Sequence, residues 1–439
     1  MAGQASGLAN RILIGLLVGA LAGAVVLVLG TFEPKILSAA QWLSIEVFDP
    51  LAQVFLRLLF FVIVPLVFAS IAVAVGQLSH LSQLGPLATR TFALFFVNMS
   101  VAVLLGLVMM NTLEPGAALA PDTRDQLLAS YGQASSAHIE RQASQPDMSL
   151  HTFVDMFMPR NLLGAVAGSD RGGLGEILPL ILFAILVGAT ALNLSSRRRQ
   201  LFSEGLDTIN ELMTGIVNMA LRLAPYAVPA MIFSVIVKIG WDIIVALSVF
   251  VVGCAVVLLF HLFVLMSLWV RFFSNVSLGH FWSVLKPVMI TAFSTSSSSA
   301  TLPTSLSAAR EGLGLSATTS GFVLPMGATM NMAGTALYEG CVVLFVAQVF
   351  GIQLDIGQQA TLLVLAVFGA VAVASIPGGS LPIIAGLLVT FGVPAEGIGI
   401  ILGIDRLLDM TRTMVNVGAD LAIATVIDKH APAERAAST

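Results

Sequence analysis

One face of a predicted helix between Gly403 and Asp428 carries the side chains best suited to bind a charged ligand. At 100° per residue, six polar side chains fall within an arc of about 100° over roughly four turns. They are Asp405, Asp409, Arg412, Thr413, Asn416 and Asp420. An arginine offers a planar fork that suits a carboxylate, and a nearby aspartate can accept an ammonium group. The face therefore suits a zwitterion with an additional carboxylate, held by Arg412 and Asp409.

The charge of this face gives a reason for coupling a substrate to cations. Three aspartates and one arginine sum to −2, a charge that repels an anionic substrate. Bound cations would cancel the repulsion, so cation and substrate would favour one another's binding. The alternative is an internal ladder of ion pairs among Asp405, Asp409 and Arg412. That ladder absorbs one carboxylate only, and it gives no role to Thr413 and Asn416.

A second polar arc precedes this helix, in the apolar segment 323–340. Four side chains lie within about 100° of one another: Asn331, Thr335, Tyr338 and Glu339. The run 330–334 is weakly helical, and an unwound turn there would free carbonyl groups for sodium. Hydrogen bonds between helices are the alternative role for Asn331 and Thr335. Glu339 is a candidate proton carrier because a carboxyl group away from water readily accepts a proton; its alternatives are a local ion pair and a lumen-facing group near the membrane edge.

Composition identifies the medium around these elements. Hydrophobic residues make up 57% of the 439 residues, and charged residues 10%. Soluble domains carry about 25% charged residues, so lipid must cover most of this surface. No basic patch indicates nucleic-acid binding. Neither Gly-x-Ser-x-Gly nor His-Glu-x-x-His occurs, which argues against an intramembrane hydrolase.

Eight apolar stretches are long enough to cross about 30 Å of hydrocarbon. They lie near 11–32, 45–77, 88–112, 175–194, 204–237, 241–272, 316–350 and 395–428. Two further apolar segments, 279–312 and 356–393, are broken by FSTSSSSATLP and ASIPGGSLP. Irregular backbone at membrane depth must be buried in protein or line an aqueous cavity. We therefore predict an all-α polytopic membrane protein with eight transmembrane helices and two re-entrant helical hairpins; two kinked spanning helices are the alternative.

The distribution of basic residues supports the hairpins independently. With the N-terminus inside, the inner side collects Arg11, Arg90, Arg197, Arg198, Arg199, Arg271, Lys286, Arg310 and Lys429. The short outer loops hold only Lys35 and Lys238. This asymmetry follows the positive-inside rule only if both broken segments return to the side they entered from. The serines at 296–299 are then predicted at a hairpin tip, where N–H groups at a helix start bind a carboxylate; a plain polar loop is the alternative.

These motifs together resemble the dicarboxylate/amino acid:cation symporter family, which includes glutamate and aspartate transporters of bacteria, archaea and animals. FLRLLFFVIVPLVFASIAV in the second span and LPLILFAILVGATAL in the fourth are similar to the family's segments. The specific motifs lie at 293–303, 323–340 and 403–428. The resemblance implies an inverted-repeat fold in the inner (plasma) membrane, a homotrimer, and a substrate-carrying domain that moves across the membrane along a static scaffold.

The resemblance also divides the chain. Six parts are expected: scaffold helices 1 and 2 (1–87), transport-domain helix 3 (88–112), an extracellular loop (113–150), scaffold helices 4 and 5 (151–240), the rest of the transport domain (241–429), and a cytoplasmic tail (430–439). Within 241–429 it implies helix 6, hairpin 1, helix 7, hairpin 2 and helix 8, in that order.

The resemblance carries roles onto matching positions. Substrate contacts are implied for Ser296, Ser297, Ser298, Thr335, Ile376, Pro377, Gly378, Asp409, Arg412, Thr413 and Asn416. One sodium site is implied at Gly327, Asn331, Asn416 and Asp420. A second is implied at Thr329, Ala370, Val371 and Val373. In this scheme Arg412 holds the side-chain carboxylate of the substrate and Asp409 its amino group.

The chain departs from the family at a third cation site. It reads NMAGT where relatives typically read NMDGT, so Ala333 replaces a cation-binding aspartate. Phe96, Met99 and Ser100 stand where Tyr, Thr and Ser usually support that site. We expect the site to be missing. Coupling would then use fewer sodium ions, or protons in part through Glu339.

The expected function is symport of aspartate or glutamate with sodium and, as a further coupling ion, protons. A C4-dicarboxylate:cation symporter is the alternative, but a simple dicarboxylate leaves Asp409 without an amino-group partner. A neutral amino acid leaves Arg412 buried without a carboxylate, which is costly. The expected partners are the small acidic substrate, lipid and two further copies of the chain.

Overall fold

The computed structural model describes residues 2–76, 86–119, 158, 160–167, 177–373 and 378–429, and every regular element in these ranges is helical. The first eight helices are α1 (Ala2–Phe32), α2 (Pro34–Leu43), α3 (Asp49–Phe60), α4 (Ile63–Gly76), α5 (Pro86–Leu113), α6 (Leu162–Ala167), α7 (Ile177–Ala191) and α8 (Ser196–Ile239). The remaining nine are α9 (Trp241–Phe260), α10 (Met266–Phe273), α11 (Leu278–Thr295), α12 (Ser298–Ser307), α13 (Ala317–Met330), α14 (Ala333–Val349), α15 (Ile356–Ala372), α16 (Leu381–Thr390) and α17 (Ile398–Asp428).

Within the described ranges, five helical rods are long and apolar enough to cross a membrane. They are Ile14–Phe32, Pro34–Val73, Pro86–Ala117, Trp241–Phe273 and Ala317–Val349. The two parts of α8 form a sixth if they are one span bent by 51°. The bend follows from Pro225, whose ring crowds the carbonyl group four residues earlier. The chain is therefore an all-helical multi-pass protein.

The predicted count of eight spans exceeds these five or six for two physical reasons. Helix α7 has only 15 residues. Helix α17 has 31 residues, but two aspartates and two arginines lie between positions 405 and 412. Helix α7 is thus shorter than a full span, and α17 is too highly charged to be an apolar one.

The helices pack in two groups. Helix α1 runs along α8, which also packs against α3 and α4, while α7 packs on α4. An ion pair between Lys238 and Asp49 ties α8 to α3, and Asp49 Oδ1 also accepts a hydrogen bond of 2.7 Å from Ser234 Oγ. In the second group α5 packs against α14, and α17 lies among α9, α10, α11, α13 and α14. The side chains of interest therefore lie where α17 meets its neighbours.

Helices α11 and α12 form the first turn structure. They pack against one another, and Ser296 between them has a left-handed backbone with φ of 48°. Ser297 then caps α12 by accepting a hydrogen bond of 3.2 Å from the N–H of Ala300. A left-handed residue followed by a cap reverses the chain within two residues, and it exposes the N-terminus of α12 at the turn.

Residues 378–380 form a second turn, directly before α16. Helix α15 starts with a capping box between Asp355 and Gln358, and α16 packs against it. Gly378 has φ of 72°, a conformation that glycine adopts without strain. Ile376 and Pro377 lie outside the described residues, as do the loop from 120 to 157 and the tail from 430 to 439.

A candidate substrate and cation site on the last helix

The six polar residues predicted on one face of α17 are all buried in protein. Asp405, Asp409, Arg412, Thr413, Asn416 and Asp420 are each between 1% and 8% exposed. Helices α13 and α14 and the turn before α16 cover them. The helical periodicity therefore predicted their shared orientation, and packing of the neighbouring segments removes them from lipid.

Arg412 is the centre of this face. Its Nη1 donates to Ser380 Oγ at 2.8 Å, and its Nη2 donates to Asp409 Oδ1 at 2.7 Å and Asp405 Oδ1 at 3.2 Å. The guanidinium carbon lies 4.1 Å from the centre of the Tyr338 ring, a cation–π contact. Its Nε has no hydrogen-bond partner in the part of the chain that is described. The guanidinium group is thus held rigidly and keeps one donor for a further acceptor.

Asp409 links the helix to the turn before α16. Its Oδ1 accepts from Arg412, while its Oδ2 accepts from the backbone N–H of Gly378 at 3.3 Å. Thr413 donates its hydroxyl to the Asp409 carbonyl oxygen at 2.9 Å. The carboxylate and the guanidinium group are therefore adjacent, and both contact the same turn.

Arg406 is a residue that sequence reasoning missed. It is 8% exposed, and its Nη1 lies 3.4 Å from Asp409 Oδ2. Three aspartates and two arginines sum to −1, so the charge of −2 derived from the sequence is corrected. The helical wheel placed Arg406 outside the polar arc, but an arginine is long enough to reach a carboxylate three residues further on.

Asn416 joins α17 to the start of α14. Its Oδ1 accepts from the N–H groups of Gly334 at 2.8 Å and Thr335 at 3.4 Å, and its Nδ2 donates to Thr335 Oγ1 at 3.1 Å. The first N–H groups of a helix have no partner within it, so the asparagine satisfies two of them. A β-carbon at Gly334 would lie 2.7 Å from the Arg412 carbonyl oxygen, which explains a glycine at this crossing.

A chain of amides leads to Asp420. Asn98 Nδ2 donates to Asn331 Oδ1 at 3.0 Å, and Asn331 Nδ2 donates to Asp420 Oδ1 at 2.9 Å. The Asp420 carboxylate lies directly against Gly327, where any β-carbon would clash with it. The structure therefore brings Gly327, Asn331 and Asp420 together. Asn98, an amide in an otherwise apolar span, is a second residue that sequence reasoning missed.

The break between α13 and α14 supplies oxygen donors beside Asp420. Helix α13 ends at Met330, and Asn331 and Met332 have non-helical dihedral angles. Carboxylate, amide and carbonyl oxygens are the ligands of hard cations such as sodium and calcium. No cluster of three His, Cys, Asp or Glu residues that could hold a transition metal is found in the described ranges. The donor set fits a hard cation.

The residues implied for the second sodium site lie on neighbouring elements. Helix α13, which carries Thr329, packs against α15. Thr329 is exposed and donates its hydroxyl to its own helix, at the Met326 carbonyl oxygen 3.1 Å away. At the end of α15, the Val373 N–H donates to the Ala370 carbonyl oxygen at 3.3 Å, and Val371 lies between them. These contacts are local to each helix.

The serine turn packs beside the same helix. Helix α12 contacts α17, so the turn at 296–298 lies next to the polar face. Ser296 and Ser298 are buried, and Ser296 Oγ has no hydrogen-bond partner among the described residues. A buried hydroxyl group without a partner costs free energy. It is therefore a donor available to a ligand.

Glu339 is fully buried on α14, and neither carboxyl oxygen has a hydrogen-bond partner in the described chain. A β-carbon at Gly369 of α15 would lie 3.0 Å from its Oε2. An unpaired ionised carboxylate is costly away from water. Of the two alternatives, the local ion pair is not formed by any residue that the structure describes.

The residues at the predicted third cation site are mostly apolar. Ala333 and Met99 are fully buried, and the ring of Phe96 packs against that of Phe368 with centroids 5.9 Å apart. Side chains at these positions offer no oxygen ligands apart from Ser100. The expected loss of a third cation site stays a prediction that this packing fits.

Comparison with known proteins finds relatives that match nearly the whole chain. The profile of the sodium:dicarboxylate symporter family matches residues 8–430. The proton/sodium-glutamate symport protein of Bacillus subtilis is 30% identical over 426 residues, covering 96% of this chain and 92% of the relative. The proton/glutamate-aspartate symporter of Escherichia coli is 28% identical over 422 residues, covering 96% and 92%. The C4-dicarboxylate transport protein of Erwinia tasmaniensis is 30% identical over 406 residues, covering 92% and 90%.

Proposed function

Because this chain belongs to the sodium:dicarboxylate symporter family, we propose that it is a secondary active symporter that takes up aspartate or glutamate together with cations. The family consists of transporters and not enzymes, and its members are multi-pass proteins of the inner membrane. The observation that carries the choice of substrate is the buried pair of Arg412 and Asp409.

The pair offers both signs of charge within one ion-pair distance. Arg412 retains a free Nε and is suited to a carboxylate, while Asp409 is suited to an ammonium group. An acidic amino acid satisfies both groups and still has a second carboxylate. The buried Ser296 hydroxyl and the N-terminus of α12 would bind that second carboxylate. The proposed site is completed by Ser297, Ser298, Thr335, Thr413, Asn416 and residues 376–378.

The alternative substrate is a C4-dicarboxylate, as in relatives named for that activity. Such a substrate has no ammonium group for Asp409. Asp409 would then keep only its contacts within the protein, and the substrate would gain no interaction with it. We therefore place acidic amino acids first.

Cation coupling is proposed at two places. Sodium would bind the Asp420 carboxylate with oxygens of Gly327, Asn331 and Asn416. A second sodium ion would bind at Thr329 and the end of α15, at Ala370, Val371 and Val373. Glu339 would carry a proton, which the names of the proton/sodium-coupled relatives support. Without an aspartate at Ala333 we propose no third sodium ion.

The transport cycle is proposed as an elevator-type movement. The group built around α8 would be the static scaffold (1–87 and 151–240), and the group around α17 would be the mobile domain (88–112 and 241–429). The paired helices α11/α12 and α15/α16 would be re-entrant hairpins, completing eight spans. The protein would work as a homotrimer in lipid, with a substrate path in each copy.

Reconstitution in liposomes tests this proposal. Uptake of labelled L-aspartate and L-glutamate is measured under an inward sodium gradient and, separately, under an inward proton gradient. Uptake that requires sodium supports the site at Asp420. Uptake driven by protons alone would assign the coupling to Glu339 and contradict the sodium sites. Transport of succinate or malate with neither amino acid would contradict the role of Asp409.

A further inference from the structure

Arg406 has no role in the function proposed above, yet it is buried beside the substrate residues. Only 8% of it is exposed, and its Nη1 makes an ion pair of 3.4 Å with Asp409 Oδ2. Its Nε is buried without a hydrogen-bond partner in the described part of the chain. A guanidinium group with unsatisfied donors, directed at a substrate-binding carboxylate, requires an explanation.

The contact involves one particular oxygen. Asp409 Oδ1 faces Arg412, whereas Oδ2 receives both Arg406 and the N–H of Gly378. A substrate ammonium group that binds Asp409 Oδ2 must displace one of these donors, because that oxygen already accepts two hydrogen bonds. Arg406 is the cationic donor at that oxygen.

Arg406 is also held loosely in comparison with Arg412. Arg412 has three hydrogen bonds of 2.7–3.2 Å and a ring contact. Among the residues that the structure describes, Arg406 has one hydrogen bond, at 3.4 Å, the long limit of such a bond. A guanidinium group with one weak contact can be displaced at low cost, whereas one with four contacts cannot.

We propose that Arg406 is a specificity-determining residue that stands in for the substrate's ammonium group at Asp409 Oδ2. This inference rests on the proposed function and deepens it. When an amino acid binds, its ammonium group displaces Arg406. When a dicarboxylate of the same carbon skeleton binds, Arg406 stays and keeps Asp409 neutralised. Arg406 therefore narrows the difference in affinity between the two substrate classes.

A purely structural role makes a different prediction. An ion pair three residues apart on a helix stabilises the helix itself. Loss of an ion pair with a purely structural role would weaken the binding of every substrate by the same factor. The role proposed here changes the ratio of the two substrate affinities, because only the substrate that lacks an amino group depends on Arg406.

The test compares L-aspartate and succinate, which differ only by the amino group. Inhibition constants of both are measured against labelled L-aspartate uptake in liposomes. In Arg406→Met the ratio of the succinate to the aspartate constant is expected to rise on the order of tenfold, because Asp409 Oδ2 then faces succinate without a cationic donor. Arg406→Lys should keep the ratio near that of the original protein.

Arg310→Met is the matched control, since Arg310 donates its Nε to Ser320 away from Asp409. It should leave the ratio unchanged. If Arg406→Met fails to assemble, Arg406→Gln must move the ratio in the same direction. An unchanged or lower ratio in the variant that assembles, with aspartate still transported, would overturn this inference and leave the proposed function standing. If the unsubstituted protein transports neither amino acid, it is the proposed function that fails.

Discussion

Arg412 and Asp409, three residues apart on α17, form a buried ion pair of 2.7 Å, and each of them also binds the turn before α16. Arg412 Nη1 donates to the hydroxyl of Ser380, and the N–H of Gly378 donates to Asp409 Oδ2. The two groups proposed to recognise the substrate are therefore the groups that hold this turn. A ligand that binds Asp409 Oδ2 competes with the N–H of Gly378, which links substrate binding to the position of the turn.

The first prediction concerns the planar fork of Arg412. Arg412→Lys keeps the positive charge but removes the geometry that reaches Ser380, Asp405 and Asp409 together. We expect the KM for L-aspartate to rise about 100-fold or more, since two charge-assisted hydrogen bonds of about 1.5–3 kcal/mol are lost. Uptake kinetics in liposomes provide the measurement.

Arg271→Lys is the control for that change, because Arg271 lies exposed on the last turn of α10. Its kinetics should match those of the original protein. Equal KM values for Arg412→Lys and the original would contradict the substrate role of Arg412.

The second prediction concerns the carboxylate of Asp420. Asp420→Asn preserves the shape of the side chain and removes its charge, so a sodium ion loses its anionic ligand. The sodium concentration for half-maximal uptake should rise at least tenfold, while uptake at saturating sodium persists. A sodium titration at fixed aspartate measures this.

Asp428→Asn removes a carboxylate from the end of the same helix, where Asp428 binds Ser316. The sodium titration of that variant should be unchanged. If uptake by Asp420→Asn shows the same sodium dependence as uptake by the original protein, Asp420 is not a cation ligand.

Part of this site was predictable from sequence because helical spacing alone fixes which side chains share a face. The spacing of Asp405 to Asp420 placed six residues correctly on the buried side of α17. It could not show that Arg406 bends back to Asp409, since that depends on the length and rotamer of the side chain. It also could not reveal Asn98, because its partner Asn331 lies 233 positions away and only tertiary packing brings them together.

The fold, like the site, was predictable from the sequence only in part. The lengths of the apolar stretches indicated the spans, and the breaks at the serine run and at the Pro-Gly-Gly run indicated where helices end. Helix α13 ends where the weakly helical Met330–Gly334 run predicted an interruption. The bend of α8 near Pro225 was not anticipated, because apolar length alone does not record a change of direction within a span.

The third prediction concerns the unpaired carboxyl group of Glu339. Glu339→Gln cannot carry a proton, so uptake driven by a proton gradient should fall to background. Exchange of internal for external aspartate, with equal sodium on both sides, should persist. Paired flux measurements in the same liposomes separate the two activities.

Glu311→Gln is the matched control, since Glu311 is exposed and bonds only the surface hydroxyl of Ser307 among described residues. Proton-driven uptake should continue in that variant. Proton-driven uptake that also survives in Glu339→Gln would assign the proton to another group.

The fourth prediction concerns the link between α3 and α8. Asp49→Asn weakens the ion pair with Lys238 and leaves that ammonium group half-buried without a counter-charge. Stability should fall by roughly 1 kcal/mol, since both groups remain partly exposed. A lower midpoint of thermal unfolding in detergent is the expected result, with substrate affinity unchanged. Asp242→Asn, in the first turn of α9, is the control; an equal midpoint for both variants would show that the pair contributes no stability.

The central claim, that the Arg412–Asp409 pair selects an acidic amino acid, is tested most directly by equilibrium binding to the purified protein. Dissociation constants for L-aspartate, succinate and L-asparagine are measured in saturating sodium. The pair predicts the tightest binding for L-aspartate, because succinate lacks the ammonium group and L-asparagine lacks the second carboxylate. Succinate or L-asparagine binding as tightly as L-aspartate would contradict the claim.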